Sequence, residues 1–241
     1  MADDDLEDNA VRTELLLLSG LLCDETVWSR LIPDLTDIIP VRAVDFRGFD
    51  SIGAMADHVL ETAPATFALA GHSMGARVAL EIHRRAPDRI DRLALLDTGT
   101  HPAKPGEAES RQKLVDLAHA QGMAALADRW LPPMLAPANR AQASMVEPLR
   151  DMVLRMSPDI YEAQVKALLN RPDAAAGLGQ IRCPTLVGVG EHDEWSPLGQ
   201  HQLIAEHIDG ATLVVFPDSG HMAPFEASRE VAAALRAWLG H

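Results

Sequence analysis

Residues 66–85 read TFALAGHSMGARVALEIHRR, and this stretch decides the fold. Residues 66–70 have the length and apolar character of a buried strand, and a helical pattern runs from about Ala76 to Arg85. Between them, residues 71–75 match G-x-S-x-G, in which a serine occupies the tip of a strand-to-helix turn with its oxygen exposed. Flanking glycines leave room for the strand and the helix to approach. The alternative interpretation is an ordinary turn in which Ser73 is the helix N-cap.

Five further apolar runs indicate that the strand at 66–70 belongs to a larger sheet. Helical patterns separate these runs, and Ser51 is a plausible N-cap for the pattern at 52–60. Nearly continuous apolar strands that alternate with helices predict an α/β fold, with an open, mostly parallel sheet of about six strands and helices on both faces. The predicted strands are 13–18, 41–45, 66–70, 92–96, 185–189 and 212–216.

A long insertion interrupts this alternation between the fourth and fifth strands. It carries helical patterns, as at Leu114, Leu117 and Ala118, and no convincing strand. We therefore predict an acidic N-terminal tail at 1–12, an α/β core formed by 13–99 and 180–241, and a helical cap at 100–179. Prolines are expected to divide the cap into short helices, at Pro102, Pro105, Pro132, Pro133, Pro137, Pro148, Pro158 and Pro172.

A serine nucleophile needs a base, and His221 is the candidate. It follows the sixth predicted strand in the segment Asp218-Ser219-Gly220-His221-Met222, where Gly220 lets the backbone turn. His72 lies beside Ser73 in the motif, too close along the turning backbone to act as its base. His101 opens the insertion, and we interpret it as a polar loop residue that could line the pocket.

The base must be held in one tautomer by an acceptor, and Asp193 after the fifth predicted strand is the candidate. Spacing alone leaves Glu191 and Glu194 open as rivals. Asp97, which ends the fourth strand, is a further rival, although we favour a capping or turn role for it. These positions all follow strands at the carboxyl edge of the predicted sheet, where ligands bind in parallel α/β proteins.

Charge that develops on a substrate oxygen needs donors, usually two backbone N–H groups. Met74 should supply one, because it follows Ser73 at the N-terminus of a helix. Leu21, in the loop after the first strand, is predicted to supply the other, with Gly20 making the bend.

Composition excludes several classes of partner. The chain has 47% hydrophobic and 23% charged residues, which is ordinary for a globular protein, and its net charge of −14 disfavours nucleic acid and anionic lipid. No apolar run approaches the roughly 20 residues that a membrane helix needs. Two cysteines make no disulfide framework, no metal-ligand spacing is present, and the acidic start is unlike an export signal, so we expect a cytoplasmic protein.

These residues together resemble the α/β-hydrolase superfamily, in its serine-nucleophile branch with a helical cap (carboxylesterase or enol-lactonase-like). The resemblance runs from about residue 13 to residue 239 and rests on 17–20, 45–48, 71–75, 190–197 and 219–221. It implies Ser73, Asp193 and His221 as a catalytic triad, a strand order of 2-1-3-4-5-6, and no metal or organic cofactor. The family's usual His-Gly is Ser19-Gly20 here, but the backbone donor should survive.

The resemblance implies hydrolysis of a small molecule. We expect this substrate to be a fairly apolar carboxylic ester, because only one cationic residue, Arg77, lies near the catalytic segments in the sequence. We interpret Arg77 as a surface residue. A C–C bond or enol-lactone hydrolase, a lyase of aromatic or quinone metabolism, and a small-molecule receptor with a slow triad remain alternatives. The oligomeric state stays open. The predicted pocket residues are Gly20, Leu22, His72, Trp130, Trp195 and Met222.

Overall fold

A six-stranded parallel sheet forms the centre of the protein. The computed structural model describes residues 13–240, so the predicted acidic tail at 1–12 lies outside the described residues. The strand order β2-β1-β3-β4-β5-β6 confirms the predicted order, and every neighbouring pair is parallel. The strands are β1 (Glu14–Leu18), β2 (Val41–Val44), β3 (Phe67–His72), β4 (Ile90–Leu96), β5 (Thr185–Gly190) and β6 (Thr212–Phe216).

Helices cover both faces of this sheet, as predicted. Ser51 is the N-cap of the first helix, since its hydroxyl oxygen accepts a hydrogen bond from the backbone N–H of Ala54 at 3.2 Å. The helices are α1 (Ile52–Thr62), α2 (Met74–Arg85), α3 (Glu107–Trp130), α4 (Ala143–Leu154), α5 (Pro158–Leu169), α6 (Leu198–His207), α7 (Ala223–Glu226) and α8 (Ser228–Leu239). Within the described residues, none of them combines the length and apolar character required to cross a bilayer.

The central strands are the most deeply buried elements. All of β3 and β5, and β1 from Leu15 to Leu18, are buried, whereas the edge strands β2 and β6 are mostly half-buried or exposed. Each fully buried leucine contributes about 1.5–3 kcal/mol to the stability of the fold, relative to an exposed leucine. The apolar runs therefore fix the middle of the sheet, including the carboxyl ends of β3 and β5 where the chain turns.

The insertion between β4 and β5 is a helical cap, as predicted, built mainly from α3, α4 and α5. The expectation that its prolines divide it into short helices is wrong at one of them. Within α3 a glycine divides the helix instead, since Gly122 is non-helical, with φ of +81° and ψ of 174°, and two helical segments meet there at a kink. Pro148 lies inside α4, where it cannot donate to the carbonyl oxygen of Ser144, and Arg30 donates to that oxygen instead. The division at residues 99 and 179 stays a prediction.

Candidate active site

Ser73 occupies a tight turn between β3 and α2. Its φ of +54° and ψ of −113° are strained for a residue with a side chain, and its hydroxyl makes no capping hydrogen bond, unlike an ordinary N-cap. The glycines of the motif are needed for close approach. A Cβ at Gly71 would lie 2.5 Å from the backbone of Ala76, and one at Gly75 would lie 2.1 Å from the carbonyl oxygen of Leu18.

The structure brings Ser73, His221 and Asp193 together in a line of hydrogen bonds. The Nε2 atom of His221 lies 2.8 Å from the Oγ of Ser73, and its Nδ1 lies 2.8 Å from Oδ2 of Asp193. Because an ionised carboxylate only accepts, Nδ1 donates to Asp193, and Nε2 accepts from the serine hydroxyl whenever that nitrogen carries no proton. The rivals Glu191 and Glu194 are exposed.

Asp193 is held as an ionised carboxylate. Its Oδ1 accepts hydrogen bonds from the backbone N–H groups of Trp195 and Ser196, each at 2.9 Å. Burial alone would raise the pKa of this carboxyl, but the charge and hydrogen bond of His221, with the bond from Ser196, hold the pKa below its usual range. A fixed negative charge therefore orients the His221 ring.

His72 supports the loop that carries His221. Its Nε2 lies 2.7 Å from the carbonyl oxygen of His221, so that nitrogen is the donor. Burial, followed by the charge of His221, lowers the pKa of His72 to about 3, so the ring is neutral. His72, which was predicted as a pocket residue, thus also supports the loop of His221. Its position beside Ser73 in the motif did not reveal this role.

The backbone N–H groups of Leu21 and Met74 are both without an intramolecular acceptor in the described part of the chain. The N–H of the next residue, Leu22, donates to Oε1 of Gln164 on α5 at 2.8 Å. Gln164 is fully buried and also donates to the carbonyl oxygen of Phe46 at 3.2 Å. Sequence reasoning missed Gln164, because its partners lie more than 100 residues away.

A cavity of about 590 Å³ opens beside Ser73 and His221, and a smaller one of about 40 Å³ adjoins it. Trp130 and Trp195 line both cavities, whereas His72, Met222 and Leu21 line only the smaller one. His101 lines the large cavity.

Gly20 and Leu22 line neither cavity, so their prediction as pocket residues is wrong. Leu22 is fully buried in the core. A Cβ at Gly20 would lie 2.9 Å from the ring of His72, so the glycine serves close packing and presents no surface to a ligand.

The interpretation of Arg77 as a surface residue is also wrong. Arg77 is half-buried and lines the large cavity, together with Arg171 and Arg111 from the cap. Because both cap arginines lie far along the chain from the catalytic segments, only folding could place them here.

A half-buried carboxylate connects the cap to the loop of His221. Glu226 on α7 accepts hydrogen bonds from the backbone N–H groups of Gly220 and Ala136 and from the side-chain amide of Asn139, each at 2.8 Å. Asn139 also donates to the carbonyl oxygen of Asp218 at 3.0 Å. The cap and the loop of the histidine therefore share one anchoring group.

Two exposed clusters each hold three potential metal-ligand atoms within 4.8 Å of one another. One consists of His119, Asp159 and Glu162, and the other of Glu191, His192 and Asp218. Neither includes Ser73, Asp193 or His221. The absence of a cofactor stays a prediction.

Comparison with known proteins places this geometry in a family. Residues 15–234 match the model of the "Alpha/beta hydrolase family". A pimeloyl-[acyl-carrier protein] methyl ester esterase from Nitrosomonas europaea is 27% identical over 93% of this chain and 94% of its own length. A 3-oxoadipate enol-lactonase from Acinetobacter baylyi is 29% identical over 95% and 89%.

Solved structures agree with the sequence relatives. A thermophilic esterase from Thermogutta terrifontis, described as malate bound, superposes with a TM-score of 0.84 at 29% identity, over 95% of this chain and 89% of that one. The enol-lactonase from Burkholderia xenovorans LB400 shares the fold, with a TM-score of 0.85 at 24% identity over 95% and 92%. With the serine turn, the strand order and the match over residues 15–234, the chain is an enzyme of the alpha/beta hydrolase family.

Proposed function

We propose that this protein hydrolyses a carboxylic ester through an acyl-enzyme formed on Ser73. One observation carries the proposal: the hydrogen-bonded line from the Ser73 hydroxyl through His221 to Asp193 opens onto a cavity of about 590 Å³. A cavity of this size suits a small organic substrate. Relatives named as esterases and enol-lactonases support the same chemistry, since a lactone is a cyclic ester.

The reaction begins when Ser73 attacks the acyl carbon and His221 takes the hydroxyl proton at Nε2. The backbone N–H groups of Leu21 and Met74 stabilise the negative charge on the carbonyl oxygen, and Asp193 stabilises the imidazolium. His221 then protonates the departing alcohol, which leaves an ester of Ser73. Water attacks this acyl-enzyme and gives a proton to His221, and His221 passes that proton to the Ser73 oxygen as the acid leaves, which restores the serine hydroxyl.

The expectation of a fairly apolar ester rests on a wrong premise. It depends on Arg77 being a surface residue and on the lack of other cations near the catalytic segments. In the folded chain, Arg77, Lys104, Arg111 and Arg171 all line the large cavity. The polarity of the substrate therefore needs a new argument.

The variant Ser73→Ala tests the proposed reaction. Without the nucleophile, kcat on short-chain methyl and p-nitrophenyl esters should fall about 10⁵-fold or more, while the melting temperature changes little. Ser29→Ala is the matched control, because this exposed serine only donates to the carbonyl oxygen of Thr26.

Labelling with a fluorophosphonate probe gives a second measurement. The probe should modify Ser73 in the wild type and in Ser29→Ala, and should leave Ser73→Ala unmodified. Ester turnover by Ser73→Ala at the wild-type rate, or labelling of a different residue, would contradict the proposal.

A further inference from the structure

Basic side chains dominate the wall of the large cavity. Arg77, Lys104, Arg111 and Arg171 line it, and Glu107 is the only carboxylate among its lining residues, so four positive charges face one negative charge. The chain as a whole carries a net charge of −14. The local charge of the cavity is thus opposite in sign to that of the protein, which favours an anionic ligand.

Glu107 neutralises only part of this charge. It accepts hydrogen bonds from Arg171 at 2.7 Å and from Nε of Arg111 at 2.8 Å. Burial alone would raise the pKa of Glu107, but these arginines lower it well below its usual range. Arg171 is 5% exposed and also donates to the carbonyl oxygens of His101, Pro102 and Leu168, so it is committed to structure.

Arg77 and Arg111 keep free donors. The only side-chain hydrogen bond that Arg77 makes within the described residues runs from Nη1 to the carbonyl oxygen of His101, at 2.9 Å, and no carboxylate there lies within salt-bridge distance of its guanidinium group. Arg111 commits only its Nε to Glu107, and neither of its terminal nitrogens has an acceptor among residues 13–240. Burial and the charge of Arg171 lower the pKa of Arg77 to about 9, so it is still charged at neutral pH. An unpaired, half-buried cation is costly unless a ligand compensates it.

The position of Arg77 relates it to the reacting centre. Ser73 and Arg77 are four residues apart on the same face at the start of α2, so their backbones are about 6 Å apart along the helix axis. Both line one cavity, whose wall also includes apolar surface from Leu114, Trp130 and Leu168. A short carbon chain could therefore join a group beside Arg77 to a carbonyl beside Ser73.

We propose that the substrate carries a carboxylate in addition to its ester, and that Arg77 and Arg111 bind this carboxylate inside the large cavity. The inference rests on the proposed ester hydrolysis at Ser73. The planar guanidinium group offers two parallel N–H donors that match the two oxygens of a carboxylate, and such charged bonds are stronger than neutral ones. The charge excludes neutral esters as preferred substrates, while the apolar wall accommodates the carbon chain between the two groups.

A matched pair of esters tests this proposal. Monomethyl glutarate and the methyl ester of glutaramic acid have nearly the same shape, but only the first is anionic. The wild type should prefer the anion in kcat/KM by about ten- to a hundredfold, as expected for a charge-assisted hydrogen bond. A second pair, 3-acetoxypropanoate and 3-acetoxypropanamide, places the charge on the alcohol side and shows which side of the ester faces Arg77.

Variants show which residue causes the preference for the anionic ester. Arg77→Gln should lower kcat/KM for the anionic ester far more than for its amide, so that their ratio falls towards one, and Arg77→Lys should keep part of the preference. Arg229→Gln removes an exposed arginine of α8 and should leave the ratio unchanged. A wild-type ratio near one for both pairs, or a ratio that Arg77→Gln leaves intact, would overturn the carboxylate site.

Binding without turnover separates this proposal from the proposed function. In Ser73→Ala, glutarate should raise the melting temperature, and the further change Arg77→Gln should abolish that rise. If no ester is hydrolysed but glutarate raises the melting temperature only when Arg77 is present, the proposed ester hydrolysis is contradicted and the proposed anion site is supported. If neutral esters are hydrolysed and glutarate has no effect, the anion site fails. Stabilisation by inorganic phosphate but not by glutarate would also overturn the choice of a carboxylate.

Discussion

Two buried aspartates, Asp193 and Asp97, have pKa shifts of opposite direction because their surroundings differ. Asp193 touches the histidine and accepts two backbone N–H bonds, whereas Asp97 accepts one bond, from the N–H of Gly190 at 2.8 Å, and its Oδ2 has no partner within the described residues. Burial, followed by the charge of Asp193, raises the pKa of Asp97 well above its usual range. Asp193 is therefore the acid that ionises more readily, and it is the one that accepts a hydrogen bond from the ring of His221, whereas Asp97 accepts only from Gly190.

Asp193→Asn should lower kcat about 10⁴-fold, because an amide does not stabilise the imidazolium and can favour the wrong tautomer of His221. Steady-state ester hydrolysis measures the loss, and circular dichroism checks the fold. Glu194→Gln, one residue along and exposed, should retain wild-type activity. Full activity in Asp193→Asn, with inactivity in Asp97→Asn, would instead make Asp97 the orienting acid.

At the scale of elements, three loops and the cap meet around the candidate site. Glu226 on α7 joins the loop of His221 to the cap, and Gln164 on α5 joins the cap to the loop after β1. The cap is thus hydrogen-bonded to the segment that carries the proposed base, His221, and to the segment that carries the proposed oxyanion donor, Leu21. Loss of either connection should affect stability and catalysis together, because the same backbone groups serve both.

Glu226→Ala should lower the free energy of unfolding by about 1–3 kcal/mol for each buried donor left without a partner, at Gly220 and Ala136. It should also lower kcat, since Gly220 precedes His221. Urea unfolding and ester kinetics measure the two effects. Glu230→Ala, at an exposed position on α8, is the control. A Glu226→Ala variant with unchanged stability and kcat would show that the connection is dispensable.

For the whole molecule, buried neutral histidines couple stability to pH. Burial lowers the pKa of His72 to about 3 and that of His201 to about 4, whereas both rings would titrate near 6.5 in the unfolded chain. Between these values the unfolded state binds protons that the folded state does not. The free energy of unfolding therefore falls as the pH falls, and it is fully retained only above the unfolded pKa.

The fall should approach about 1.4 kcal/mol per pH unit for each of the two histidines between about pH 6 and pH 5. Urea unfolding at several pH values measures this slope. His201→Gln, which keeps an acceptor for the backbone N–H of Thr98, should make the slope shallower. A stability that is constant across this range, or that rises on acidification, would contradict the prediction.

Local pattern in the sequence determined the fold and two of the three proposed catalytic positions. Strand and helix periodicities are set by residues close in the chain, so the strands and most helices were predictable within a few residues. The G-x-S-x-G turn needs glycines for steric reasons that hold wherever it occurs, and parallel topology then brings strand ends to one edge. For these reasons Ser73 and His221 could be named before the structure, whereas Asp193 was preferred to the rival acids Glu191, Glu194 and Asp97 only because the family resemblance implies it.

Only the tertiary structure decided which acid contacts the base and what surrounds the nucleophile. No local pattern relates the segments that bring Arg77, Arg111 and Arg171 to one cavity. The same holds for the two segments that are joined by the hydrogen bond from Leu22 to Gln164. Side-chain exposure depends on how the cap packs over the sheet, which is why the sequence wrongly placed Arg77 on the surface. Long-range packing, set by the shape of the whole core, therefore fixed the charge of the cavity.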